Sequence, residues 1–227
     1  MAALHSSGST TGYNWGEPVP DTNGGSDIVL WKHSDDSYKP YFSSTRTWDQ
    51  IRERKAAVFW CKGVWFAQEV PRFSFIVWLA ARNRLSTGDR MRAWGIQQAC
   101  VLCGEPDETR DHILFACPYS FTVWDSLVNR LSGNMTDPDW LTTLQFVTAN
   151  NLQILDKILL KMAFQTSIYH IWKERNERRH QTGFRTASQV MRIVDKAVRN
   201  RITPLRYTAG HKYVGLMQRW FEVTATS

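Results

Sequence analysis

The apolar positions of this chain recur at three and four residues far more often than at two, and that period predicts helices. The first runs from about Thr45 to Lys55, with Thr45 or Thr47 as N-cap and Trp48 and Ile51 facing inward. In Ala56–Val70 helix and strand both stay open, because Val58, Trp60, Val64 and Phe66 fit a strand or a turn of buried helix. Pro71 suits a first helical turn, and Phe73, Phe75, Ile76, Trp78, Leu79 and Ala80 behind it are apolar almost all round, so this helix is expected to be buried. Ser86 and Asp89 have capping-box spacing and open a helix through Arg90, Met91 and Trp94 that Gly95 ends. Pro118 starts another, carrying Phe121, Trp124, Leu127, Val128 and Leu131 and closed by Gly133. Asp137–Ala149 reads as helix, and a long amphipathic helix follows over Leu152–Gln181, with Leu155, Ile158, Leu159, Met162, Ile168, Tyr169 and Trp172 as its inner stripe. Beyond Gly183, Thr186 or Ser188 caps a helix through Val190, Ile193, Val194, Ala197 and Ile202 that Pro204 stops, and Tyr213–Val223 is helical in pattern. With no repeat period and no βαβ alternation, the expected fold is mostly α. Trp60, Trp65, Trp78, Trp124 and Trp172 fall on apolar faces and are expected in the core.

Composition changes this picture at both ends. Met1–Asp27 holds fourteen Ser, Thr, Gly and Pro and no Lys or Arg, so it reads as a disordered leader, with order beginning near Ile28. It lacks the apolar run of a secretion signal and the arginines of a transit peptide. Asp35-Asp36 reads as a polar turn. Lys161 interrupts the most apolar stretch, so no membrane span is expected and the protein should be soluble. The net charge of +7 is uneven: Lys161–Arg219 carries thirteen Lys and Arg against three acids, which puts +10 there and −3 on the remainder. That asymmetry favours a polyanionic partner.

Chemistry concentrates between residues 100 and 117. Cys100-Val-Leu-Cys103 sets two thiols on one tight turn, Gly104 gives the backbone freedom for positive φ just beyond it, and His112 and Cys117 follow. The spacing Cys-x2-Cys-x8-His-x4-Cys matches a structural zinc site, whose four protein ligands leave no position for a catalytic water. Three thiolates around a divalent ion leave a charge of about −1, which Arg90, Arg92 and Arg110 are placed to balance. Two alternatives stay open: cysteines that are small core residues beside a core histidine, and a redox Cys-x2-Cys. Cys61 lies apart and reads as a core residue. Four cysteines, three of them in one ligand cluster, are too few for a disulfide scaffold and imply a reducing, intracellular setting, nucleus or cytoplasm.

The residues around this cluster resemble the zinc-binding domain of plant LINE-type non-LTR retrotransposon reverse transcriptases, from about Trp31 to His180. The likeness is carried by Val64-Trp65-Phe66, Pro71-Arg72-Phe73, Trp78-Leu79-Ala80, Asn83 to Thr87, Asp89-Arg90 and Trp94-Gly95. It continues through the Cys-x2-Cys, Glu108-Thr109, Asp111 to Cys117, Tyr119-Ser120-Phe121, Val123-Trp124 and Ile171 to Asn176. The resemblance implies a small helical domain organised around a Cys3His zinc knuckle, with RNA or DNA as partner. It implies no small-molecule substrate and no catalysis, because the endonuclease and polymerase parts are not in this sequence. Beyond Glu177 only Asp195 and Glu222 remain as carboxylates, too few for a two-metal nuclease. The expected division is a leader over 1–27, the zinc-binding domain over 28–133 and a basic helical C-terminal region over 134–227.

Two surfaces are candidates for nucleic acid. The preferred one is Arg82, Arg84, Arg90 and Arg92 with Trp94 as a stacking surface; the second is a C-terminal stripe including Arg175, Arg178 and Arg179. The competing reading makes both ordinary solvated helix surface, with Glu174 and Arg178 as an i,i+4 pair. Two functions follow: a zinc-stabilised nucleic-acid-binding module, or a structural or protein-interaction module in which zinc only holds the fold.

Overall fold

In a computed structural model, which describes residues 2–4, 28–53, 55–149, 151–208 and 213–225, the chain is mostly helical. It divides into two compact units, Met1–Ala56 and Ala57–Ser227.

The first unit is a small antiparallel sheet with one helix. Strands β1 (Ala2–Leu4), β2 (Val29–Ser34) and β3 (Ser37–Lys39) lie in that order, with Ala2 opposite Trp31 and Trp31 opposite Lys39. Asp35-Asp36 is the turn between β2 and β3, as its polarity predicts. Apart from Ala2–Leu4, the expected leader lies outside the described residues. Helix α1 (Ser44–Ile51) is capped by the Ser43 side chain, which accepts from the Arg46 amide, two residues before the nearer of the expected caps. Trp48 and Ile51 point to water instead of inward. The helix meets the sheet through a polar contact, Gln50 Nε2 donating to the Lys32 carbonyl at 2.9 Å, and buries no side chain of its own.

The second unit is all helix. The ambiguous run after Ala56 forms only a single turn, α2 (Cys61–Val64), and leaves Val58, Phe59 and Trp65 exposed. Helices α3 (Pro71–Ala81), α4 (Gly88–Arg92), α5 (Pro118–Val128), α6 (Trp140–Thr148), α7 (Ile154–Arg179), α8 (Ala187–Thr208) and α9 (Leu216–Thr224) follow. Helix α3 is less buried than its composition predicts, because Phe75 faces solvent and Trp78 is only partly buried. Helix α4 is shorter than its pattern; Thr87 precedes it with its hydroxyl on Asp89, and Trp94 lies beyond its end at 76% exposure. Helix α7 is the central element. From Ile158 to Ile168 nearly every side chain is buried, so an apolar stripe understates it: α3, α5, α6, α8 and α9 pack around it. Its polar Gln165 is satisfied by the Val64 carbonyl at 2.6 Å. Pro204 does not stop α8. It lies on the exposed side between buried Ile202 and Leu205, where a proline is tolerated without loss of a core contact.

The centre of the core is aromatic. Phe115, Trp124, Trp140 and Phe164 meet with ring centroids 5.2 to 6.1 Å apart, drawing together the segment before α5 and helices α5, α6 and α7. The boundary expected near residue 133 therefore does not separate two cores.

Candidate metal centre

Each metal-ligand candidate is placed by a different local device. Cys100 and Cys103 occupy a tight turn in which the Gly104 amide donates to the Cys100 carbonyl at 2.7 Å and the Cys100 amide to the Glu105 carbonyl at 2.8 Å. Closing that turn takes φ of +87° at Gly104, a conformation that favours glycine, as expected from its position. His112 begins a five-residue π-helical turn, His112–Ala116, in which the Cys117 amide donates to the His112 carbonyl at 2.6 Å. In an α-helix, residues five apart point about 140° away from each other. The wider π turn brings such residues back over one another, so His112 and Cys117 face one point. The same turn drives Ile113, Leu114 and Phe115 fully into the core, and Thr109 fixes its start by accepting the His112 amide at 3.1 Å.

Cys117 is also the N-cap of α5, with Pro118 at the first helical position. Its thiol is lowered to about 5, first because it accepts the Cys100 thiol proton at 4.0 Å, and further because the Ser120 and Tyr119 amides of the helix start point at the sulfur. The hydrogen bond to Cys117, with burial behind it, raises the Cys100 thiol correspondingly.

The ligand atoms of Cys100, Cys103, His112 and Cys117 all lie within 4.8 Å of one another. Around a tetrahedral ion with Zn–S near 2.3 Å, two sulfurs lie about 3.8 Å apart and a sulfur and an imidazole nitrogen about 3.6 Å. The Cys100–Cys117 sulfurs, 4.0 Å apart, and the Cys103 Sγ–His112 Nε2 pair, 3.2 Å apart, bracket those values. The group is suited to a metal ion, and the structure brings together the four residues that the spacing singles out.

The arginines expected to balance the site's charge are engaged elsewhere. Arg92 pairs with Asp107, Arg90 donates to the Asn83 carbonyl at 2.8 Å, and Arg110 pairs with Asp111 while lying 4.8 Å from the Trp140 ring centroid. Arg82 and Arg84 are exposed, and among the described residues no carboxylate lies within ion-pair reach of Arg82, Arg84 or Arg90.

Two residues of the expected C-terminal stripe are corrected by their burial. Arg175 is 3% exposed and forks onto the fully buried Glu108, with Nε at 3.1 and 3.2 Å and Nη2 at 2.5 Å, while Nη2 also donates to the Ser86 carbonyl. A guanidinium spent in this way has no surface left for a phosphate. Arg178 pairs with Glu174 as its spacing predicts, but it also donates to the Val101 carbonyl inside the Cys-x2-Cys turn at 3.3 Å. Arg179 is partly covered, and burial lowers it beneath the usual guanidinium range.

Sequence reasoning missed this second layer. Glu108 also accepts from the Gly88 amide at 3.0 Å and Gln98 Nε2 at 3.1 Å, and so ties the ligand loop to the start of α4 and to α7. Glu174 accepts from the Arg185 amide at 2.7 Å, and Tyr119 donates to the Arg185 carbonyl at 2.8 Å, closing the end of α7 over the ligand turn. A glutamate before Asp-His and an arginine in a polar helix end gave no sign of burial.

Comparison with known proteins matches residues 42–124 to a family described as zinc-binding in reverse transcriptase, a span that contains all four ligands. No curated protein and no solved structure matches the chain. No helix among the described residues is long and apolar enough to cross a membrane.

Proposed function

We propose that this chain is a zinc-stabilised nucleic-acid-binding module, non-catalytic by itself and related to the reverse transcriptases of LINE-type retrotransposons. One observation carries it: beside a four-ligand group suited to a metal ion, Arg82, Arg84 and Arg90 project from one stretch with no described carboxylate in reach. Zinc suits three thiols and an imidazole better than the hard cations do. When bound, it would supply folding free energy by fixing the Cys100 turn to the His112–Cys117 segment. The arginines then supply phosphate contacts, and Trp94 supplies a flat ring beside them. Arg92, held by Asp107, is a weaker member of this set.

A second reading, a protein-interaction module, is favoured by the exposed apolar side chains Trp94 and Ile96 just before the Cys100 turn. One experiment separates the two. Zinc content and affinity for RNA and DNA are measured at two salt concentrations, with the triple variant Arg82→Ala, Arg84→Ala, Arg90→Ala alongside. The nucleic-acid reading expects one zinc per chain and binding that weakens with salt, with a slope reduced by roughly two to three in the variant. Salt-independent or absent binding, together with partner capture that survives nuclease, would replace it with the second reading. Cys103→Ser or His112→Ala is expected to lose stoichiometric zinc and unfold the second unit, since structural zinc contributes on the order of 10 kcal/mol in small modules.

A further inference from the structure

The arginine edge does not distinguish a paired from an unpaired strand, but the neighbouring face of α3 does. Phe75, 52% exposed, stacks on Trp78 with ring centroids 5.8 Å apart and planes inclined by 29°, and the Arg82 guanidinium lies 5.8 Å from the Trp78 centroid. From Pro71 to Gly88 the sequence has three arginines, Arg72, Arg82 and Arg84, and no Asp or Glu. A helix that turns the flat ring of Phe75 toward water, backed by a partly buried Trp78 in an acid-free setting, is matched to a ligand that is both aromatic and anionic.

A groove of about 480 Å³ runs beside this face, lined from α3 by Ile76 and from α7 and the residues after it by Tyr169, Trp172, Lys173, Asn176 and His180. Arg72 stands on the α3 side, its guanidinium 5.0 Å from the Phe73 centroid and 5.4 Å from that of Tyr169. The one carboxylate on the groove, Glu177, is already paired with Arg185 and lies 3.7 Å from Lys173. The groove therefore combines aromatic walls with an excess of cations, since Arg72, Lys173 and Arg185 face the single carboxylate of Glu177.

We infer that α3 and the α3–α7 groove bind an unpaired strand of RNA or DNA. Bases stack on the Phe75–Trp78 pair and enter the groove, and phosphates follow Arg72, Arg82 and Lys173. A duplex hides its base faces and is read along base edges by amides and guanidinia, whereas α3 contains no Asn or Gln and presents ring faces. This rests on the nucleic-acid reading above and narrows it to single strands.

The test uses the full zinc-loaded chain with fluorescently labelled oligouridylate, oligothymidylate and a duplex of equal length, read by anisotropy. Phe75→Ala and Phe75→Trp are the variants; the side chain is half exposed, and thermal melts check that both fold. The expected result is preference for the single strands, with Phe75→Ala weakening them by about 5- to 100-fold and Phe75→Trp restoring affinity, while duplex binding and the salt slope stay unchanged. Equal or tighter duplex binding that is insensitive to Phe75→Ala overturns this inference and leaves the nucleic-acid reading intact. Binding to no oligonucleotide overturns both. Nuclease-resistant capture of a protein that Phe75→Ala abolishes, without oligonucleotide binding, assigns the face to a protein.

Discussion

Replacing Glu108 by alanine removes the acceptor shared by Arg175, the Gly88 amide and Gln98 Nε2. Both members of the ion pair are buried, Glu108 fully and Arg175 to all but 3%, so the change leaves a guanidinium charge without its counter-ion away from water. Deleting one member of such a pair costs about 3–5 kcal/mol, whereas replacing both by apolar residues of similar size is often near neutral. In a unit of this size each kcal/mol lowers the melting temperature by about 2–4 °C, so Glu108→Ala is expected to melt roughly 6–20 °C lower. Arg175→Met strands the glutamate and should cost a similar amount, although two donors remain to it. The double variant Glu108→Leu, Arg175→Met is expected to recover most of the loss, giving a coupling energy of about 2 kcal/mol or more. The assay is thermal and urea unfolding of zinc-loaded protein, with zinc content measured on each variant. Single changes that cost less than about 1 kcal/mol, or a double variant as unstable as the sum of its parts, would show that the pair is not the tie described above.

Acid provides a second test. Burial, with Lys173, Arg72 and Arg185 nearby, lowers His170 to about 4, and its Nε2 has no partner. The folded chain keeps His170 neutral while the unfolded chain takes up a proton near its ordinary value. Its contribution is therefore intact above about pH 6.5 and is lost as pH falls toward 4, up to about 3 kcal/mol. His170→Phe should flatten the fall in urea-derived stability across that window relative to wild type, and parallel curves would refute the assignment. Two glycines should respond differently to alanine. At Gly88 the added methyl would run into the Gln98 carbonyl oxygen and lie 3.0 Å from Glu108 Cβ, and a loss of about 3 kcal/mol or more is expected. At Gly104 it meets open space and only φ of +87° opposes it, so about 1 kcal/mol is expected. Melting temperatures in the reverse order would contradict the contacts assigned to Gly88.

The sequence made the ligand set legible because all four ligands lie within eighteen residues, where spacing alone nearly determines which side chains can converge. Gly104, the Pro118 start of α5 and the Glu174–Arg178 pair were legible for the same local reason. The π turn was not, because it turns His112 and Cys117 toward one point while it sets Phe115 in the core, a combination that no window of propensity contains. Burial of Arg175 depends on Glu108, 67 residues earlier. Exposure of Trp48, Trp65 and Phe75 is not legible, because an apolar residue in a helical pattern says only that it can be buried, while the partner surface is settled by tertiary packing. Pro204 reads as a terminator in the sequence, but a proline on the solvent side of a long, well-anchored helix is tolerated.

The aromatic cluster of Phe115, Trp124, Trp140 and Phe164 determines what can be moved from one protein to another. A breakpoint just after Val128 would carry away every metal ligand in a short, seemingly self-sufficient cassette. It would also strip Phe115 and Trp124 of Trp140 and Phe164, leaving rings that are almost wholly buried in the intact chain open to water. Such a cassette would aggregate even with its ion in place. The portable block must reach at least through α7, so a gene fusion or an expression boundary that respects only the cysteines and the histidine cuts through the middle of the folding unit.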